Sequence, residues 1–141
     1  MYTKVAEKYR KRVAMALQTT AAAAQGYLAP TPGTMGIIVS AVVTMGNAAD
    51  LVLSLNSSDD AAGTNAAAFP VNVPIYVNGA RQTDAKAHTV ADATGNFVVE
   101  FCVDPALVPA GKYIGLSYAN SNAGNLMTCV ITEDVAYKPH A

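Results

Sequence analysis

Apolar and polar residues alternate with a period of two along most of this chain. Over residues 35–43 one face reads Met35, Ile37, Val39, Ala41, Val43. Over 50–56, Leu51, Leu53 and Leu55 alternate with Val52 and Ser54, and over 71–77, Val71, Val73, Ile75 and Val77 alternate with Asn72, Pro74 and Tyr76. The same pattern returns at 97–103, 113–118 and 126–131. Period two places alternate side chains on opposite faces of a strand, so each segment is expected to bury one face. Turn residues fall between the segments: Gly46-Asn47, the loop 56–60, Asn78-Gly79, Thr94-Gly95-Asn96, the loop 104–111 and the loop 120–125. Asn-Gly is a strong signal for a tight hairpin. Pro74 lacks an N–H for a ladder, so its strand is expected to lie at an edge or to carry a bulge. Short strands with a turn about every ten residues predict an all-β fold, an antiparallel β-sandwich or jelly-roll-like domain.

The start of the chain is ambiguous. Val5, Tyr9, Val13 and Leu17 recur every four residues, as on a helix, whereas Val13, Met15 and Leu17 alternate, as on a strand. The β-branched pair Thr19-Thr20 favours an extended arm leading into a strand. Residues 21–26 read as a helical turn or a spacer, and Pro30, Pro32 and Gly33 as a loop. The expected organisation is a basic arm over 1–12 and one β-sandwich domain over 13–141, as suits a length of 141 residues.

Charge sharpens that division. Lys4, Lys8, Arg10, Lys11 and Arg12 supply five of the nine cations against one acid, Glu7, a net charge of +4; the rest sets four cations against nine acids, a net −5. Charged residues make up 13% of the chain, about half the usual fraction, which suits either a surface covered by neighbours or by copies of itself, or equally a small β domain that Thr, Ser and Asn keep in solution. An acidic body repels phosphate, so no nucleic-acid partner is expected. The five arm cations are the candidate partner-binding residues, docking on an acidic protein surface. Tyr76, on the polar side of its strand, is the candidate interface aromatic.

No apolar run approaches the roughly 18 residues of a membrane span, and Gln18, Thr19, Thr20 and Gln25 interrupt the weakly apolar stretch after the basic start. Neither a membrane partner nor a signal peptide is expected, and synthesis is expected in a cytoplasm. There Cys102 and Cys129 are expected to be buried free thiols, with a bridge between neighbouring strands as the alternative.

Candidate chemistry is sparse. His88 and His140 stand alone, and the cysteines lack ligand spacing. Asp59-Asp60 follows two serines but lacks the acid ladder of a calcium loop, so a solvated turn is expected. No serine occupies a Gly-x-Ser-x-Gly elbow, and no phosphate-binding glycine motif occurs. Glu100 is the one acid placed within a strand, with no second carboxylate to pair it across a cleft, and is expected on the solvated or interface side of its sheet. No catalytic residue, cofactor or metal site is expected, and no enzyme activity.

Three stretches carry a resemblance: Thr34–Thr44, Leu51–Asp60 (LVLSLNSSDD) and Val103–Gly124 (VDPALVPAGKYIGLSYANSNAG). A strand ending in a Ser-Asp loop, irregular hairpins, an Asp-Pro turn, a GKYIGL strand and a last long strand resemble the small β-sandwich structural proteins of tailed-bacteriophage heads. The resemblance covers about residues 13–135; the long basic N-terminus departs from the shortest form of the pattern. It implies a virion structural protein made in the host cytoplasm: a capsid decoration (cement) protein on the head surface. Its partners would be the major capsid protein and further copies of itself, as dimers or trimers. The alternative is a receptor- or glycan-binding β-sandwich of a phage fibre or tail, against which stands the absence of Trp.

Overall fold

In the computed structural model, which describes residues 8–119 and 121–135, the alternating segments become strands. They are β1 (Tyr9–Thr19), β2 (Ala24–Leu28), β3 (Thr34–Met45), β4 (Leu51–Ser58), β5 (Ala67–Ala68), β6 (Ile75–Val77), β7 (Ala80–Arg81), β8 (Ala87–Val90), β9 (Gly95–Val103), β10 (Tyr113–Tyr118) and β11 (Leu126–Val135). One 3-10 turn, Pro105–Leu107, follows β9; the Asp104 carboxylate caps it by accepting from the Ala106 amide at 2.9 Å.

Two antiparallel sheets form an all-β sandwich. The larger has the order β1-β11-β3-β9-β6-β7; the smaller has the order β2-β10-β4-β5, with β8 also on β4. The first and last long strands are therefore neighbours. The inward residues are those the alternation picks out: Ile37, Val39, Ala41 and Val43 on β3, Val99 and Phe101 on β9, Leu51, Leu53 and Leu55 on β4. All are essentially inaccessible to solvent, and each large one contributes roughly 1.5–3 kcal/mol relative to exposure.

Three expectations meet a different structure. The segment read as an arm to residue 12 is already strand from Tyr9, because β11 supplies a ladder partner from Leu126 to Asp134. The stretch 21–26 is not a helical turn: from Ala24 it is β2, paired with β10. Of the run 71–77 only Ile75–Val77 is strand. Val73 makes an isolated bridge to Ala85, and Pro74, with no N–H to donate, uses its carbonyl to accept from the Cys102 amide at 2.9 Å.

The outer faces of the two sheets differ. On the small sheet Tyr27 lies beside Gly115, where a Cβ would stand 1.8 Å from the Gly26 carbonyl oxygen and 2.8 Å from the Tyr27 ring. Gly115 thus allows the ring to bury to 1% exposure. The Tyr27 hydroxyl donates to Gln25 and accepts from Asn56, and Gln25 donates to the Ala62 carbonyl of the 59–66 loop. The large sheet has no such cover among the described residues.

Candidate interaction surface

The register of the large sheet lines up its outward side chains in rows. One row runs Val13–Val130–Ser40–Glu100–Tyr76–Arg81 across six strands. The next contains Thr128, Val42 and Val98, and residues 16–17 of β1 face Thr128 across a bulge. Val13 is 61% exposed, Leu17 70%, Val42 43% and Val98 37%. Of the eight large apolar side chains exposed among the described residues, six lie on strands of this sheet. At about 4.8 Å between strands, the patch from β1 to β9 is roughly 15 Å wide. It is contiguous apolar surface on one face, the kind that marks an interaction site.

The free edge of β1 is a poorer docking element. Two register shifts, between Val13 and Met15 and between Met15 and Gln18, mark bulges, and Arg10 and Lys11 stand exposed on the same strand. Bulges and charges are how an edge strand avoids pairing with another chain. The face, not the edge, is available.

The candidate cations are divided by the structure. Lys4 lies outside the described residues. Arg12 turns inward to Glu133: its Nε and Nη2 donate to Oε1 at 3.1 and 2.6 Å, while Nη2 also donates to the Ala29 carbonyl at 2.7 Å. Lys8 stands 3.7 Å from Asp134 Oδ2 and 5.4 Å from the centre of the Tyr9 ring. Arg10 donates to the Thr31 hydroxyl at 3.3 Å. Lys11 is exposed in the row of Thr132, Ile38 and Cys102. Lys8 and Arg12 thus have carboxylate partners within the chain; Lys11 shares the outer face with the apolar patch, whereas Arg10, in register with Glu133, lies on the opposite face toward Thr31. Tyr76 is half-buried on the outer face, with the Arg81 guanidinium 5.7 Å from its ring centre. Glu100 is half-buried beside it.

Glu133 is the acid the sequence reading missed. Its side chain is inaccessible to solvent, near the end of a strand expected to stop at residue 131. Besides Arg12, it accepts from the Thr31 amide at 2.5 Å, the Thr31 hydroxyl at 3.0 Å and the Thr34 hydroxyl at 2.9 Å. Burial pushes its carboxyl up, but these donors together outweigh burial and hold it below the usual value of 4.5. The signal was present: Thr128, Val130 and Thr132 continue an alternation that puts residue 133 on the inner face.

The remaining candidates are locally satisfied. Asp60 accepts from the Ala62 and Thr64 amides and the Thr64 hydroxyl; Asp59 pairs with Lys112 and accepts from Asn65. Their carboxyls are held below the ordinary range, by the Lys112 hydrogen bond in Asp59 and the Thr64 hydroxyl in Asp60. His88 is half-buried on β8, and burial pulls its pKa below 6.5. No group of three or more His, Cys, Asp or Glu is placed to hold a metal among the described residues. Cys102 faces outward on β9 and Cys129 inward on β11, with β3 between them, and both are free thiols.

No protein-family model matches the chain, and no curated protein matches it.

Proposed function

We propose that this chain is a virion structural protein, a capsid decoration protein that attaches to the major capsid lattice through the outer face of its large sheet. The supporting observation is the open apolar patch of Val13, Leu17, Val42 and Val98, with Lys11 on the same face, on a sandwich whose other sheet has part of its outer face, at Tyr27 and Gln25, held under its own loop. The capsid as partner comes from the sequence resemblance, and the mode of attachment from the patch.

Magnitudes decide what such an attachment requires. Completing the burial of these four partly exposed aliphatic side chains contributes roughly 3–6 kcal/mol. Immobilising a protein costs about 4–15 kcal/mol. One copy therefore holds weakly, and attachment depends on several linked contacts across a repeating lattice. Exposed cations at the rim add at most about 1 kcal/mol each and mainly orient the approach.

The test is co-sedimentation of purified protein with heads assembled from the virion's major capsid protein without this chain. Saturable binding at a fixed number of copies per capsid subunit, with thermal stabilisation of the heads, is the expected result. Absence of binding at tens of micromolar protein sinks the reading.

A further inference from the structure

The outer face of the large sheet carries one charge of each sign that the described residues leave unpaired. Lys11 on β1 is exposed and Glu100 on β9 is half-buried, and neither has an ion-pair partner among the described residues. The acid and the cation nearest to them on this face are paired, Asp134 with Lys8 and Arg81 with Asp84. A half-buried carboxylate without a cation has lost part of its hydration without compensation, so Glu100 calls for a cation from outside the chain. The register fixes where the two charges stand. Glu100 lies three strands from Lys11, about 14 Å across the sheet, and two residues along it, about 7 Å. Half-way between them the face is apolar: Ile38 and Val130, on neighbouring strands, point outward and are partly exposed.

We propose that a second copy of this chain covers this face, related to the first by a two-fold axis that runs between Lys11 and Glu100, parallel to the sheets. A partner of one charge sign would satisfy one of these residues and repel the other. The surface that offers both signs at the same separation, in reverse order, is this face itself turned about such an axis. Lys11 of each copy then meets Glu100 of the other, at two equivalent places. Sheets packed face to face stand about 10 Å apart, a gap that a Lys and a Glu side chain span together. On the strand and residue spacings the same axis passes by Ile38 and Val130, so each meets its own counterpart, and it sets Val42 of one copy over Val13 of the other. The long strands β1, β11, β3 and β9 make a face of about 20 Å by 30 Å, or about 600 Å² per copy; two copies reach the roughly 1,200 Å² at which stable interfaces begin. The dimer stands independently of the capsid reading, because it concerns the isolated protein. It uses the same face, so a paired copy docks on a head only after the pair separates.

The experiment is sedimentation velocity on the full chain over a range of concentrations, with Lys11→Glu, Glu100→Lys and the double variant that carries both changes. Both positions point away from the core, and circular dichroism checks that each variant keeps its β signal. The intact chain is expected to dimerise. Each single variant turns two attractions into two repulsions and is expected to dimerise at least about tenfold more weakly. The double variant restores opposite signs at both places and is expected to dimerise within about threefold of the intact chain. Lys11→Glu, at an exposed position, carries the test alone where Glu100→Lys does not fold. A monomeric intact chain overturns the proposal, as do folded single variants that dimerise like the intact chain or a folded double variant that fails to recover.

Discussion

Arg12 and Glu133, 121 residues apart in sequence, form an ion pair that ties the edge strand β1 to its neighbour β11. The guanidinium keeps access to water on one side, whereas the carboxylate has none. Through Thr31 and Thr34 the same carboxylate holds the loop between β2 and β3. One side chain thus joins three segments at one end of the sandwich.

Replacing Glu133 by Ala is expected to destabilise the fold by about 3 kcal/mol. This is the low end of the ~3–5 kcal/mol for breaking a buried pair, since Arg12 can turn to solvent. The Thr31 amide loses its acceptor as well. Urea unfolding of Glu133→Ala beside the intact chain measures it, and a difference under 1 kcal/mol contradicts this role.

Acid should act through the same group. The folded carboxyl lies below its ordinary 4.5, so the unfolded chain takes up the proton first as pH falls. The stabilisation is therefore complete above about pH 4.5 and is lost as pH falls through the lower folded value. Melting temperature against pH should drop more steeply in this acid range for the intact chain than for Glu133→Gln. Parallel curves contradict the assignment.

The two thiols should differ in reactivity. Burial pushes Cys129 up to about 12, leaving almost no thiolate at neutral pH. Cys102, half-buried, is raised by burial and by Glu100 and partly lowered by Arg81. Mass spectrometry after alkylation of native protein should show slow modification of Cys102 alone, with Cys129 reacting only in denaturant. A native mass two hydrogens light, from a 102–129 bridge, contradicts the placement on opposite faces.

At the β6–β7 hairpin Asn78 has φ 48° and Gly79 φ 80°, the paired left-handed conformations of a type I′ turn. Gly79→Val is expected to cost about 1–2 kcal/mol, because a β-branched residue is strained there. Asn78→Ala should cost a similar amount, since its side chain accepts from the Val98 amide at 2.8 Å. Chemical denaturation of both variants checks the estimate, and neutral substitutions contradict it.

What was legible in the sequence was whatever periodicity and turn chemistry control locally. Ile37 to Val43 and Phe97 to Val103 alternate cleanly because each buries one face, so β3 and β9 could be read directly. β2 could not: Ala24, Gln25 and Gly26 carry little β signal, and they are strand because Gly26 and Gly115 let backbones approach closely. β5, β7 and β8 are ladders of two to four residues, too short for a period to show. The basic cluster was visible as charge, but not that Arg12 turns inward: that depends on β11 placing Glu133 opposite. The outer patch was equally hidden, because Val42 and Val98 lie on the polar-phase side of their strands and only the missing cover makes them available.

Attachment through the outer face is tested most directly with the Val42→Lys/Val98→Lys double variant. Both side chains point away from the core, so the variant should keep the intact chain's melting temperature to within a few degrees. The measurement is the number of copies bound per head in co-sedimentation, intact chain beside variant, at several protein concentrations. The expected result is at least a tenfold loss of affinity in a folded protein. Equal binding of the folded variant and the intact chain contradicts the assignment of this face.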